Sequence, residues 1–146
     1  MYEKSGRDRG AVIIVPIDEK TGRIVLVMEP SKPEPHYWKF PGGGIELCDV
    51  DPRFPDDDMQ AAYNAARREA EEETGVAVEV AHIATIPRKT HIVHIFTGLG
   101  DVDQLRKRGP EGEIPQAFSL GQIRALTNFM PSHRPILDIA VEKLTR

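Results

Sequence analysis

Cysteine, excess basic charge and long apolar runs are all scarce in this chain of 146 residues. Its single cysteine, Cys48, excludes a disulfide within the chain and a zinc site built from several cysteines. Lysine and arginine number 19 against 23 aspartate and glutamate, a net charge of −4. That balance excludes a broad basic surface as the main device for binding nucleic acid or an anionic membrane.

No apolar run approaches the roughly 20 residues that span a bilayer. The longest run, residues 10–17, is interrupted by Pro16, and no small-residue cleavage site follows it. We therefore interpret it as a strand rather than a signal peptide. One thiol and no membrane segment are typical of a reduced, cytoplasmic location. A composition of 40% apolar and 29% charged residues predicts a single globular domain over residues 1–146.

Short β-branched runs and turn residues predict a mixed sheet with few helices. Residues 11–15 and 24–28 are continuously apolar and flank a turn-rich connector, which predicts a hairpin covered on both faces. Further strands are predicted over residues 76–87, 91–99 and 113–118, and helices over residues 56–75, 120–126 and 135–144. The proline- and aspartate-rich residues 47–58 are predicted to form an irregular, exposed loop. This pattern favours an α/β (α+β) domain with a mixed central β-sheet.

Residues 59–75 are predicted to form an amphipathic helix whose buried stripe is mostly alanine. On a helical wheel that stripe consists of Met59, Ala62, Tyr63, Ala66 and Ala70. Such small side chains let a helix lie close to a sheet, so this helix is expected to approach the sheet backbone.

Four glutamates near the end of this helix lie at different angular positions relative to the buried stripe. Glu71 is expected to face solvent, Glu69 and Glu72 to lie at the stripe's edge, and Glu73 to lie within its margin. Carboxylates this close repel one another, and burial adds a desolvation penalty. Mg²⁺ or Mn²⁺, which prefer oxygen ligands, would neutralise them. From the wheel alone, a solvated acidic helix face is the alternative interpretation.

The same residues resemble the Nudix box, G-x5-E-x7-R-E-U-x-E-E-x-G-U, where U is aliphatic. Its second half is present without a gap as REAEEETGV at residues 68–76. Upstream, FPGGGIE at residues 40–46 is similar to the family's FPGG-x-I-E segment, with Gly43 as the box glycine. The resemblance implies the Nudix fold, an α/β/α sandwich, and a metal site on the glutamates.

The first glutamate of the box is missing from its ordinary place. Counting forward from Gly43 reaches Asp49, whereas counting back from Arg68 reaches Gln60, and these two positions are 11 residues apart. The chain therefore carries an insertion in the loop before the helix. Asp49 is the best substitute for the missing glutamate, with Asp57 or Asp58 as alternatives. The inserted residues 49–59 are expected to lie at the mouth of the site and to affect substrate choice rather than metal binding.

The resemblance assigns roles to the box residues. Glu69, Glu72 and Glu73 would be ligands of Mg²⁺ or Mn²⁺, and the carbonyl group of Gly43 would add another. Arg68 would orient the acidic side chains by ion pairing rather than touch substrate. These residues are the predicted catalytic and metal-binding set.

The box does not fix the general base. Glu69 is one candidate, and Glu111 and Glu113, just before a predicted strand, are later candidates; ordinary loop charges are the alternative interpretation for the last two. Tyr37 and Trp38 precede the FPGG segment and could either stack a nucleobase or pack in the core.

In function, the resemblance implies hydrolysis of a nucleoside diphosphate linked to a group X, with a small-molecule nucleotide as substrate. ADP-ribose, nucleotide sugars and dinucleoside polyphosphates are examples. One alternative is a pyrophosphohydrolase of nucleoside triphosphates or of the 5′ end of RNA, although the acidic balance speaks against nucleic acid. Another is a Nudix-like nucleotide-binding domain without turnover. No membrane partner is expected, and a homodimer is consistent with the family.

Overall fold

The computed structural model describes residues 9–144, and within them a six-stranded sheet forms the centre of the fold. The strands are β1 (Ala11–Asp18), β2 (Ile24–Met28), β3 (Gly42–Gly44), β4 (Glu79–Pro87), β5 (Ile92–Gly100) and β6 (Ile114–Phe118). The α-helices of this part of the chain are α1 (Asp58–Thr74), α2 (Leu120–Ala125) and α3 (Arg134–Leu144). These bounds agree closely with the predicted elements.

The sheet is mixed, as predicted. Its strand order is β4-β5-β1-β2-β6, and β3 pairs with the beginning of β1. β1 and β5 are parallel, whereas the remaining pairs are antiparallel. The predicted hairpin is confirmed, since β1 pairs with β2 with Ile17 opposite Ile24. Both central strands are buried on their two faces, which explains their continuously apolar sequences.

Each face of the sheet has its own apolar core. On the first, the α1 face, the alanines of α1 pack on Val12, Ile14 and Phe96. On the second, the α3 face, Val15, Leu26 and Ile95 pack under α2, α3 and a group of large side chains: Phe40, Phe129, Ile136 and Leu137. The helices on both sides make the molecule an α/β/α sandwich.

The limits of α1 follow from local chemistry. The side chain of Asp57 accepts a hydrogen bond from the Gln60 backbone N–H, which caps the first turn. Gly75 adopts a left-handed conformation with φ 83° and ends the helix. The predicted stripe is rotated slightly, because Met59 is 36% exposed while Ala61 and Ala65 are fully buried.

Two segments before α1 differ from the sequence-based expectation. The glycine run forms β3, a strand that glycine's own preferences disfavour but that pairing with β1 supplies with hydrogen bonds. The predicted exposed loop 47–58 begins with a 3₁₀ turn, Leu47–Asp49, whose last residue is buried. The expectation of full exposure is therefore wrong for Asp49, because an ion pair described below draws it inward.

Candidate active site

The glutamates of α1 reach a cavity of about 600 Å³ that opens beside β3. Glu69, Glu72 and Glu73 all line it. Glu69 and Glu73 lie one helical turn apart and are only 9% and 6% exposed, whereas the side chain of Glu72 is 51% exposed. The wheel placed Glu72 and Glu69 alike at the stripe's edge. In the structure the buried face of α1 is centred on its alanines, so Glu72 lies on the exposed side of the helix.

Glu69 and Glu73 lie side by side, and each acts on the pKa of the other. Burial, followed by the contact with Glu69, raises the pKa of Glu73 to about 9. Burial also raises the pKa of Glu69, although the bond from Glu73 and the charge of Arg68 oppose that shift. Burial thus favours the protonated form of both carboxyl groups.

Strand β3 lies directly against this carboxylate pair. The backbone N–H of Gly42 donates to Glu73 Oε2 at 2.9 Å. A Cβ atom on Gly43 would lie 2.6 Å from Glu69 Oε1, closer than a Cβ atom can approach. Glycine at this position therefore lets the strand backbone and the carboxylates share one wall of the cavity.

Arg68 joins the acids into one ion-pair network. Its Nε and Nη2 atoms donate to Asp49 Oδ1 at 2.8 Å and Oδ2 at 2.9 Å, a bidentate pair. Its Nη1 atom donates to Glu69 Oε1 at 3.0 Å and to Glu72 Oε2 at 3.2 Å. These hydrogen bonds, those of Asp49 above all, raise the pKa of the guanidinium group further. The geometry agrees with a residue that orients the acids.

Asp49, the first candidate substitute for the missing glutamate, is buried against Arg68. It is 3% exposed, and the backbone N–H of Glu46 donates to its Oδ2 atom at 2.8 Å. The alternatives serve other purposes: Asp57 caps α1, and Asp58 pairs with Arg9. Of the three aspartates, Asp49 is the one that contacts Arg68.

The residues after Asp49 do not border the large cavity. Asp51, Arg53, Phe54, Asp57 and Gln60 instead surround a separate depression of about 370 Å³. The expectation that this segment lies at the mouth of the site is therefore not met by the described structure. The Asp49–Arg68 pair fixes the start of the segment beside α1.

Glu111 and Glu113, the later candidates for a general base, both line the large cavity. Glu113 is 4% exposed, and its Oε2 atom accepts a hydrogen bond from the Glu111 backbone N–H at 3.1 Å. The loop before β6 thus folds over the Glu113 side chain, while Glu111 stays exposed. The structure therefore brings both residues to the same cavity as the glutamates of α1.

A histidine that the sequence analysis did not single out fixes the segment leading to β3. The Phe40 backbone N–H donates to His133 Nδ1 at 3.0 Å, and the two rings are stacked. Burial, then the charges of Lys39 and Arg88, lower the pKa of His133 to about 4, so its ring is neutral and can accept this bond. Because His133 is more than 90 residues from Phe40, no local pattern reveals the contact.

Sequence reasoning also missed two lysines of the cavity. Lys39 Nζ lies 2.5 Å from a carboxylate oxygen of Glu29, and Lys32 Nζ lies 3.6 Å from its other oxygen. The position of Lys39 directly before FPGG was the available signal. Of the two aromatic candidates, Trp38 packs edge-on against Phe118, as a core residue does. Tyr37 borders a smaller adjoining cavity.

The chemistry of the donor set suits a hard divalent cation. Carboxylate oxygens and a backbone strand meet there, and two of the carboxyl groups are buried. As the side chains stand, no three His, Cys, Asp or Glu residues among positions 9–144 are arranged to hold a metal ion. The reason is that Glu69 and Glu73 bind each other and Glu72 binds Arg68.

Within the described residues, no helix has the length and apolar character needed to cross a membrane. No sequence among the curated proteins matches the chain. Several solved structures do, each at low identity. One is the NUDIX domain of Shewanella oneidensis NrtR in complex with ADP ribose, with 16% identity, TM-score 0.67, and 92% of this chain and 86% of that chain covered.

Two further structures have the same fold. A NUDIX-family hydrolase from Clostridium perfringens has 18% identity and TM-score 0.66, with 92% of this chain and 94% of that chain covered. An ADP compounds hydrolase has 20% identity and TM-score 0.66, with 92% and 72% covered. At these identities the likenesses show the fold alone. The NUDIX domain model, however, matches residues 7–138. The chain therefore belongs to the NUDIX domain family, as its glutamate motif predicts.

Proposed function

We propose that this chain is a hydrolase, dependent on Mg²⁺ or Mn²⁺, that cleaves the pyrophosphate bond of a nucleoside diphosphate linked to a second group. The observation that carries the proposal is that the buried Glu69 and Glu73 line the same cavity as Glu72. An apolar or neutral polar pair would be cheaper to bury. Two buried acids on a cavity wall are explained best by a cation that they bind.

Glu69, Glu72, Glu73 and the carbonyl group of Gly43 are the residues that would hold the cation. All supply oxygen, the donor that Mg²⁺ and Mn²⁺ prefer. When bound, such a cation neutralises phosphate oxygens and lowers the pKa of water. The three glutamates would hold it as carboxylates, and Glu72 would exchange its hydrogen bond with Arg68 for the cation.

The protein's own groups then serve two purposes. Arg68 holds Asp49 and Glu69 in fixed positions through three hydrogen bonds of 2.8–3.0 Å. A carboxylate accepts the proton of the water whose oxygen attacks phosphorus, as the phosphorus bond to the bridging oxygen breaks. Glu113 is our choice for that base because it lines the cavity from a separate loop; Glu69 and Glu111 are the alternatives.

Substrates with an ADP group are the first to test. The Shewanella oneidensis domain was solved with ADP ribose, and another similar structure is an ADP compounds hydrolase. Nucleoside triphosphates and RNA with a 5′ diphosphate are the alternative substrates, and nucleotide binding without turnover is the alternative function. The single thiol, Cys48, supports a cytoplasmic location within this proposal. A homodimer is likewise part of it.

A substrate screen tests this proposal. ADP-ribose, dinucleoside polyphosphates, nucleotide sugars and nucleoside triphosphates are each incubated with Mg²⁺, with Mn²⁺ and with EDTA, and the products are separated by chromatography. We expect cleavage at a pyrophosphate bond in Mg²⁺ and none in EDTA. Tight nucleotide binding without any product would instead show the binding-domain alternative. Turnover that persists in EDTA would refute the metal dependence.

A further inference from the structure

Two cavities meet at one cluster of charged residues. The large cavity of about 600 Å³ contains the glutamates of α1, and a smaller cavity of about 250 Å³ adjoins it. Glu29, Lys32 and Lys39 border both. A ligand that extends from one cavity into the other must pass these three side chains.

The lysines are the positive part of a strongly acidic cavity. Seven glutamates line the large cavity, and among the described residues that line it Lys32 and Lys39 are the only cations. Both ammonium groups lie near the single carboxylate of Glu29, at 3.6 and 2.5 Å. Two positive charges on one negative charge leave a net positive charge, so an anion is favoured here and repelled elsewhere in the cavity.

Lys39 is held rigidly for such a role. Its backbone N–H donates to the carbonyl oxygen of Val27 at 3.0 Å, and its own carbonyl oxygen accepts from the Val27 N–H at 2.8 Å. Its side chain is 28% exposed, against 65% for Lys32. Lys39 also lines the same cavity as Glu73. Of the two lysines, Lys39 should therefore contribute more to binding.

The smaller cavity suits the organic end of a nucleotide. Beyond the charged junction it is lined by Pro35, His36, Tyr37 and Met130. Such flat and polarisable side chains pack well against a planar base or a sugar. The lining thus changes from charged to aromatic and apolar along the line that joins the two cavities.

We propose that Lys32 and Lys39 bind the phosphate groups of the substrate at the junction, so that its nucleoside end enters the smaller cavity and its other end faces the glutamates. The ligand class is a nucleoside diphosphate or a derivative of one. This inference rests on the proposed function for its catalytic consequence, although binding alone is measurable without turnover.

The experiment measures binding of ADP and of inorganic pyrophosphate by titration calorimetry in EDTA, where the lysines act without a divalent cation. We expect Lys39→Met to weaken both probes about 10-fold and Lys32→Met about 3-fold. Tyr37→Ala should weaken ADP about 5-fold and leave pyrophosphate unchanged. Lys39→Arg should restore affinity to within about 3-fold of wild type.

Lys20→Met is the matched control, because Lys20 is a surface lysine whose ion pairs lie with Asp101 and Asp103. It should bind both probes like wild type, and thermal unfolding should show that every variant is folded. Equal affinities of wild type, Lys39→Met and Lys32→Met for ADP would overturn the inference. So would a wild-type protein that binds neither probe, or a Tyr37→Ala variant that loses both probes equally.

Kinetics then separate this inference from the proposed function. With the best substrate of the screen, Lys39→Met should raise KM about 10-fold while kcat stays within about 3-fold. A lowered kcat with unchanged KM would contradict a binding role. If ADP binding depends on the lysines and no substrate is cleaved, the proposed hydrolysis fails and the binding site stands.

Discussion

The two faces of the sheet are covered by side chains of opposite size. The α1 face is covered by alanines, among them Ala61, Ala65 and Ala66, which are fully buried. The α3 face is filled by large groups such as Phe40 and Phe129, which are equally buried. Burial is therefore complete on both faces, whereas the apolar area per residue differs strongly.

This difference in side-chain size separates the face that stabilises the fold from the face that holds the site. Alanines stabilise less by burial than large side chains do, because hydrophobic stabilisation follows apolar area. They do let the α1 backbone approach β1 and β3, which brings Glu69 against Gly43 and Glu73 within 2.9 Å of the Gly42 N–H. We infer that the α3 face supplies most of the hydrophobic stabilisation and the α1 face holds the site.

The largest expected effect falls on the α3 face. Phe129→Ala removes a buried ring that packs edge-on against Phe40, with the ring centroids 5.5 Å apart. We expect the free energy of unfolding to fall by about 3–5 kcal/mol, measured by urea denaturation. The fraction that stays folded should keep its kcat within about 3-fold. A loss below about 1 kcal/mol would contradict the assignment of stability to this face.

On the α1 face a substitution is expected to affect the catalytic rate rather than stability. Glu73→Gln, or Glu72→Gln, should lower kcat at least about 100-fold, a loss of about 2.7 kcal/mol of transition-state stabilisation. Glutamine is isosteric with the protonated acid that Glu73 presents, so the fold should be retained. Glu71→Gln is the control, since Glu71 is exposed on the same helix. Near-normal turnover of both variants at saturating Mg²⁺ would show that Glu72 and Glu73 are not needed for catalysis.

Close approach between helix and strand is tested by Gly43→Ala. The added Cβ atom would lie 2.6 Å from Glu69 Oε1, so either the carboxylate or the strand must shift. We expect kcat to fall about 10-fold, because small displacements of reacting groups are costly in rate. Gly44→Ala is the matched control, since a Cβ atom there meets nothing within 4 Å. Equal kcat values for the two variants would show that the contact is not needed.

His133 links the α3 face to the site, and its contribution depends on pH. Its pKa is about 4 in the folded chain and near 6.5 in the unfolded chain. Between these values the unfolded chain binds more protons, so the stabilisation is complete above pH 6.5 and is lost as pH falls through 4.

We expect the wild type to lose about 1–2 kcal/mol more unfolding free energy than His133→Gln between pH 7 and pH 4. Glutamine keeps an acceptor for the Phe40 N–H but does not titrate, so the difference isolates the histidine. Urea denaturation at several pH values gives the two curves. Parallel curves would show that the ring is not neutralised by burial.

The smallest effect is expected outside both faces. Phe54 lies in the segment after Asp49 and is 58% exposed. Phe54→Ser should change the free energy of unfolding by less than about 0.5 kcal/mol and leave KM for the best substrate within about 2-fold. A larger change in KM, with kcat unchanged, would show that the segment takes part in substrate choice.

Local signals in the sequence sufficed for much of this molecule. The cap at Asp57, the terminating Gly75 and the apolar runs of β1 and β2 fixed the main elements, because each acts through neighbours in the chain. The spacing of Glu69, Glu72 and Glu73 also sufficed to bring them to one cavity. Helical periodicity carries that information by itself.

Contacts between residues that are distant in the sequence could not be predicted from it. The burial of Asp49 depends on Arg68, and the neutrality of His133 depends on its packing against Phe40. Strand β3 forms from glycines only because β1 offers partners. Tertiary interactions decide these features against local propensity, so no pattern in the sequence reports them.

The bidentate pair between Asp49 and Arg68 has a practical consequence for protein engineering. It attaches the chain to α1 at the start of the inserted residues 49–59, and the Asp57 cap attaches it again near their end. The length between these two anchors is thus free of the cavity, and loop closure becomes only slowly costlier with length. Residues 51–55 are accordingly a suitable place to graft a reporter peptide or an affinity tag while the glutamates keep their positions.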